Sequence, residues 1–256
     1  MTDPNATDPV PRPTTWQRRV ASFQDALRAG WRSYRLAPWL FERAGRTESA
    51  LTAVQAFGST DLFPTEWFAE ERTFAIDHMG REWGERIGRE ESRAFLSMLG
   101  ERCTLEPARE PLADQLDRVL EQVAPASVSS VAIIAPARWQ VLRSLELGPA
   151  GDVGWLPGTG ARALLRGTFS GLPVFAPQQS GATDLWVIDF DRIGSWQYVG
   201  GFDDLATSTE LLRDQLVRLN EAMVPATRIT AEEFFSIALD DVAAARGIRV
   251  PLDASG

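Results

Sequence analysis

The chain contains no lysine, one cysteine and one histidine in 256 residues. All 26 of its basic residues are therefore arginine. The single cysteine, Cys103, excludes an internal disulfide and a cysteine-rich metal site. A catalytic thiol needs a nearby imidazole, so the one dyad open to this sequence pairs Cys103 with His78. A lone cysteine is more often a small packed hydrophobic residue, and we expect His78 to be a surface or capping residue.

Long hydrophobic runs and clustered positive charge are also missing. No apolar run reaches the ~18 residues that a membrane-spanning helix needs, and the N-terminus carries no signal-peptide core. The net charge is −9, which argues against a surface built to grip nucleic acid, because such a surface needs clustered cations. Without lysine, the glycine-rich stretch Gly154–Gly171 cannot be a Walker phosphate loop. We therefore expect a cytoplasmic protein that has no membrane partner and no cofactor.

The most strongly patterned segment runs from Thr73 to Glu101. Its apolar residues mostly recur at three- and four-residue steps, which predicts a long amphipathic helix entered from a short strand over Thr73–Asp77. Gly80, Gly84 and Gly88 fall on one face of that helix. Each glycine costs an isolated helix about 1 kcal/mol relative to alanine. We therefore expect another backbone to pack closely against the glycine face.

Periodicity and turn residues divide the rest of the chain. Helices are predicted at Trp16–Tyr34, from Pro111 to Pro125, at Pro136–Leu145, at Ser208–Met223, and from a capping box of Thr230 with Glu233 to Gly247. Strands are predicted at Ser130–Ala135, Ala163–Arg166, Thr168–Phe175, Leu185–Phe190 and Trp196–Val199. Phe57–Phe68 reads as an aromatic-rich loop that is either a lid over the core or an interface. Helices and strands are mixed without a regular alternation, which indicates an α+β fold.

Two acidic pairs invite a chemical interpretation. Asp189 and Asp191 stand two apart in a predicted strand, so their carboxylates would share a face and could hold a divalent cation. No third ligand stands out, however. Glu90 and Glu91 are adjacent in the long helix and point to different faces, which is poor geometry for acid–base catalysis. We predict no catalytic, cofactor-binding or metal-binding residue, and we name no binding residue.

Several segments follow one another in a distinctive order. They are a long helix ending in Glu90, Glu91, Ala94 and Phe95, a strand–proline–helix unit at Val131–Leu145, the segment Gly167–Phe175 with Gly171, Pro173 and Val174, and a strand pair at Leu185–Asp191. This order resembles the capsid fold shared by tailed-bacteriophage head proteins and encapsulin shells. The resemblance covers roughly residues 70 to 195.

The resemblance implies an α+β, phage-capsid-like fold with a long spine helix, a peripheral β-sheet and an axial α/β domain. The corresponding divisions are the N-terminal helix, extended loop and spine helix at 16–110, the axial domain at 111–166, and the return strands of the peripheral domain at 167–200. The polar, proline-rich segment 1–15 is predicted to be a flexible N-terminal arm. A C-terminal helical extension is predicted at 201–256, beyond the usual end of the capsid pattern.

In function, the resemblance implies a structural shell protein and no enzyme. We expect many copies to self-assemble into an icosahedral, encapsulin-type nanocompartment that encloses an enzyme cargo. A compartment is favoured over a virus head because the chain starts near its first helix and is acidic. One alternative is the major capsid protein of a tailed phage or prophage, a virion protein enclosing DNA. Another is a metal-dependent cytoplasmic enzyme using Asp189 and Asp191. A third is a monomeric interaction module that binds through the aromatics of Phe57–Phe68.

Overall fold

The structure is a computed structural model. It describes residues 15–45, 55–64, 73–109, 111–124, 129–149, 164–177, 184–200, 209–219 and 222–250. The helices are α1 Thr15–Tyr34, α2 Leu36–Arg43, α3 Thr73–Arg102, α4 Leu112–Val123 and α5 Trp139–Ser144. The strands are β1 Gln55–Pro64, β2 Thr104–Pro107, β3 Val131–Ile134, β4 Leu165–Phe169, β5 Leu172–Phe175, β6 Asp184–Asp189, β7 Gly194–Gly200, β8 Thr209–Leu219, β9 Ala222–Leu239 and β10 Ala245–Arg249.

The strands form two sheets. One has six strands in the order β2-β10-β6-β3-β5-β4, in which the β2–β10 and β3–β5 pairs are parallel. The other is antiparallel and is built on β9, which pairs with β1, β7 and β8. The chain crosses between the sheets three times: through α3 between β1 and β2, at the turn from β6 to β7, and between β9 and β10.

Side chains of β6 alternate between the two faces of the six-stranded sheet, because successive residues of a strand point in opposite directions. Leu185 and Val187 belong to a core that includes Leu116 and Val119 of α4. Trp186 and Ile188 belong to a second core, which takes in residues of α2, α3 and the four-stranded sheet. Both faces are therefore covered, which explains why β3 and β5 are continuous apolar runs with every residue buried.

The helix α1 lies parallel to α3 along the N-terminal two-thirds of α3. The Ser22 hydroxyl donates to Asp77 near one end of the contact, and Trp31 Nε1 donates to Glu91 near the other. Beyond Glu91, α3 continues into the core of the molecule, where Phe95 and Leu99 are buried. Within the described residues, no helix is both long and apolar enough to cross a membrane.

Several expectations for the termini of elements are corrected. The predicted strand at Thr73–Asp77 is instead the start of α3. Its alternating pattern covers only five residues and is outweighed by the helical pattern of the whole segment, in which Ile76 is buried in the core. The helix predicted to start at Pro136 begins three residues later, at Trp139. The aromatic segment that we expected to be a loop is the strand β1 as far as Pro64, and its last four residues lie outside the described part.

The C-terminal helical extension predicted at 201–256 is wrong. Of the helix predicted at Ser208–Met223, the described residues form β8 and the start of β9; the segment after Thr230 continues β9, and Gly247 lies in β10. Thr230, the predicted helix cap, is instead paired with Thr60 of β1 and Glu210 of β8. Pairing on both edges of β9 outweighs the local helical signal, which is a weak prior.

The other predicted divisions of the chain stay predictions. β4 spans the boundary that was predicted between residues 166 and 167. β5, from the predicted return strands, pairs with β3, from the predicted axial domain. The predicted N-terminal arm, apart from the first residue of α1, lies outside the described residues, as does most of the glycine-rich loop.

Candidate functional site

The two residues of the possible thiol–imidazole dyad lie at opposite ends of α3. His78 is in the second turn of the helix, and Cys103 follows its last residue. A rise of ~1.5 Å per residue separates them by roughly 37 Å. His78 is exposed and its Nε2 lies 3.3 Å from Glu82. Burial raises the pKa of the Cys103 thiol, and the nearby Arg102 only partly opposes this. The geometry excludes a Cys103–His78 dyad.

The acidic pair after β6 forms a turn. The strand ends at Asp189, so the expectation that Asp189 and Asp191 share one face of a strand is wrong. The Asp189 carboxylate accepts a hydrogen bond from the backbone N–H of Asp191 at 3.1 Å. The backbone carbonyl of Asp189 accepts from the N–H of Ile193 at 2.9 Å. The Ser130 hydroxyl donates to Asp191 at 2.5 Å, which ties the turn to the start of β3.

An arginine in the same turn links the end of α4 to the connection between β9 and β10. Arg192 donates from Nη1 to the carbonyl of Val123, at the end of α4, at 2.9 Å. It donates from Nη2 to Asp241, between β9 and β10, at 2.6 Å. The backbone N–H of Asp240 also donates to the carbonyl of Ile193 at 2.9 Å. The turn therefore fastens the β6–β7 crossover between the sheets to the β9–β10 crossover.

The surroundings of this turn shift the pKa of Asp189. Burial raises the pKa of the Asp189 carboxyl, and the charges of Asp191 and Asp241 act in the same direction. The hydrogen bond from the Asp191 N–H and the charge of Arg192 oppose the rise. In the part of the chain that the structure describes, no three His, Cys, Asp or Glu side chains are grouped so that they could hold a metal ion. Asp189 and Asp191 are occupied in holding a turn.

The glycine face of α3 packs directly on the backbone of α1. A Cβ atom built on Gly80 would lie 2.6 Å from the carbonyl oxygen of Phe23, and one on Gly88 would lie 2.9 Å from that of Trp31. At Gly84 a Cβ would overlap the carbonyl oxygen of Leu27. The predicted close approach of a second backbone is therefore confirmed.

A buried polar cluster lies at the end of this helix contact. The guanidinium of Arg35, the residue between α1 and α2, stacks on the ring of Trp31 with its centre 3.8 Å from the ring centroid, and it lies 4.9 Å from that of Trp196. Arg35 Nε is 4.0 Å from the Glu91 carboxylate oxygen that accepts the bond from Trp31 Nε1, at 3.1 Å. Glu91 is only 1% exposed.

Sequence reasoning predicted that Glu90 and Glu91 face different ways, and they do: Glu91 is buried and Glu90 half-buried. It missed Arg35 altogether. The available signal was an arginine four residues after Trp31, where both side chains of a helical segment lie on one face. Nothing in the sequence indicated that Trp196 would lie close by.

Comparison with known proteins gives matches by structure alone. No protein-family model matches the chain, and no curated protein sequence matches it. The capsid of an empty GTA particle matches with a TM-score of 0.50 at 11% identity, covering 77% of this chain and 72% of that one. A structure of Mycobacterium phage Che8 matches with a TM-score of 0.51 at 15% identity, covering 81% of this chain and 78% of that one.

The chain has the tailed-phage capsid fold. The expected fold class, an α+β capsid-like fold with a long helix, is confirmed, and α3 is that helix. The holo-SrpI encapsulin complex from Synechococcus elongatus is similar at a TM-score of 0.49 and 15% identity, covering 78% of this chain and 75% of that one.

Proposed function

We propose that this capsid-fold chain is a structural shell protein that assembles from many identical copies into a closed icosahedral particle. The observation that carries this proposal is the likeness in fold to the GTA capsid and the phage Che8 structure over about four-fifths of the chain. In a closed symmetric assembly each contact is repeated many times, so individually weak contacts suffice.

The arrangement of the polar groups supports a structural role over an enzymatic one. The acidic residues from which we had considered a metal-dependent enzyme, Asp189 and Asp191, hold a turn between the sheets. The buried guanidinium of Arg35 stacks on Trp31, and the buried carboxylate of Glu91 accepts a hydrogen bond from Trp31 Nε1. In both places the chemistry of the side chains is used to fix one part of the backbone against another.

The margins of the four-stranded sheet also suit assembly. Among the described strands, β1 and β8 each pair only with β9. Each therefore has one outer edge whose backbone N–H and C=O groups are not used by another described strand. Such edges readily accept a strand from another chain. As far as Pro64, the aromatic segment of the monomeric-module alternative is a strand paired with β9.

As the finer proposal, the shell is an encapsulin-type compartment that encloses a protein cargo. The support is the net charge of −9, because an interior packed with nucleic acid needs cations to balance the phosphates. A phage or GTA head is the second candidate, and the likeness to the GTA capsid and to phage Che8 favours it. We name no residue for cargo docking.

Electron microscopy of the purified protein tests the assembly, and nuclease digestion tests the contents. Closed particles of uniform diameter are expected, together with an ultraviolet spectrum of protein alone after nuclease treatment. Particles that protect nucleic acid from the nuclease would support the head-protein candidate. A field of small, separate molecules at high concentration would refute both.

A further inference from the structure

The joint between the helix pair and the rest of the molecule lies at one level along α3. Up to Glu91, α3 packs along α1, and from Phe95 onward it packs in the core with Phe41 and Phe190. The chain leaves α1 at the same level, because the N–H of Leu36 donates to the Ser92 hydroxyl at 3.4 Å. Any shift of α1 along α3 must therefore displace the residues at this joint.

The contact between α1 and α3 is repetitive. Gly80, Gly84 and Gly88 are spaced by four residues, and successive glycines meet successive turns of α1 in the same manner. On α1, the Cβ of Ala26 lies 3.1 Å from a Cβ built on Gly80, and a Cβ built on Gly30 would overlap the carbonyl oxygen of Arg81. Because the glycines of α3 and the α1 carbonyls that they meet, those of Phe23, Leu27 and Trp31, both repeat every helical turn, sliding α1 by one turn, about 5.4 Å, would again bring glycines of α3 onto carbonyls of α1. The small residues alone do not distinguish these registers.

The polar cluster at the joint is not repetitive. The Arg35 guanidinium can lie against Trp31 and Trp196 and beside Glu91 only when α1, α3 and β7 are all in their observed places. Trp31 Nε1 likewise reaches the Glu91 carboxylate only in this register. A slip of one turn would bury the charge of Glu91 among groups that do not match it, which is costly.

Burying charges is an inefficient way to gain stability. Removing an arginine and a glutamate from water carries a desolvation cost that their attraction repays only in part, and apolar residues of similar volume often hold a fold equally well or better. A buried polar group can instead select one register among several, as a single asparagine does in coiled coils.

We propose that the cluster of Arg35, Glu91, Trp31 and Trp196 is a register lock, which selects one of several registers of α1 on α3 that differ by whole turns. Its contribution is to uniqueness of structure and not to net stability. If the proposed shell function holds, the lock makes all subunits identical in shape, which closed symmetric assembly requires.

The test replaces both charges by apolar residues of similar size in an Arg35→Met/Glu91→Leu variant. Spin labels are placed at two exposed positions, through Ala21→Cys on α1 and Ser97→Cys on α3, in a Cys103→Ser background. Labelled chains are diluted with unlabelled ones so that distances between subunits do not contribute. The matched control is Arg246→Met/Glu106→Leu, which removes a half-exposed pair 3.2 Å apart on β10 and β2.

The parent and the control are expected to give one narrow distance distribution. The Arg35→Met/Glu91→Leu variant is expected to melt at or above the temperature of the parent and to give a second distance displaced by about 5–6 Å, one turn of helix. A single distribution identical to that of the parent would overturn the lock. Failure of the variant to fold would also overturn it, because the pair would then be required for stability.

The distance measurement reads the helix pair in whatever assembly the protein forms. Small particles of the parent with a two-distance variant would therefore refute the shell function and leave the lock in place. Uniform shells formed by a variant that gives a single distance would refute the lock and leave the shell function in place.

Discussion

The most informative perturbation of the helix pair is Gly84→Ala. In an isolated helix this change would be favourable by about 1 kcal/mol. Here the added Cβ would overlap the carbonyl oxygen of Leu27 and come within 2.5 Å of the backbone nitrogen of Trp31. Both obstacles are backbone atoms of a packed helix, so neither can rotate away as a flexible side chain could. The two helices must separate or tilt.

Overpacking of this kind costs about 1–3 kcal/mol. With several backbone atoms of α1 in the way of the new methyl group, we expect the upper part of that range, which leaves a net loss of about 1–2 kcal/mol after the helix gain. For a chain of this size, the expected fall in melting temperature is about 2–8 °C. Gly84→Leu is expected to prevent correct folding or assembly.

Gly100→Ala is the matched control. Gly100 lies in the same helix, is exposed, and has no atom within 4 Å of the position of an added Cβ. The Gly100→Ala variant should show only the gain in helix propensity, a rise of up to about 1 kcal/mol in the free energy of unfolding. Thermal unfolding followed by far-ultraviolet circular dichroism compares the variants. A Gly84→Ala protein that melts as high as Gly100→Ala would refute close packing of the two backbones.

The turn between the sheets yields three further predictions. Asp189→Asn keeps an oxygen that can accept from the Asp191 N–H but removes a buried charge, so it should raise the melting temperature near neutral pH. Because the pKa of Asp189 is raised in the folded protein, its favourable contribution to the free energy of unfolding is complete below the ordinary pKa of 3.8 and is lost as the pH rises. The melting temperature of Asp189→Asn relative to the parent should therefore increase from pH 4 to pH 7. A difference in melting temperature that stays constant over this range would contradict the argument. Arg192→Met removes the donor to Val123 and should lower the free energy of unfolding, measured with denaturant, by about 1–3 kcal/mol. An unchanged free energy of unfolding would show that the hydrogen bonds of Arg192 do not stabilise the fold. A chelator should leave the melting temperature unchanged, and a clear fall would restore the metal-site interpretation.

The sequence predicted those parts of the fold that have a local cause. The period of α3, the proline before α4 and the apolar run of β3 each indicate their element without help from distant residues. The glycine face likewise indicated its own close contact. The order of these elements was enough to suggest the capsid fold.

The parts that the sequence did not predict depend on pairing between distant residues. β9 is a strand because β1, β7 and β8 hydrogen-bond to it, and those partners lie up to 180 residues away in register pairs such as Gln55 with Phe235. The polar cluster of Arg35, Glu91 and Trp196 is likewise assembled from three separate regions. No spacing rule within one segment could have predicted either feature.

The mass of the purified particle tests the central claim most directly. Mass photometry of the full chain should detect a particle of about 1.7 MDa or more, since roughly sixty copies make the smallest icosahedral shell and one chain weighs 28.2 kDa. A monomer or dimer as the largest species, over the whole accessible range of concentration, would contradict the account.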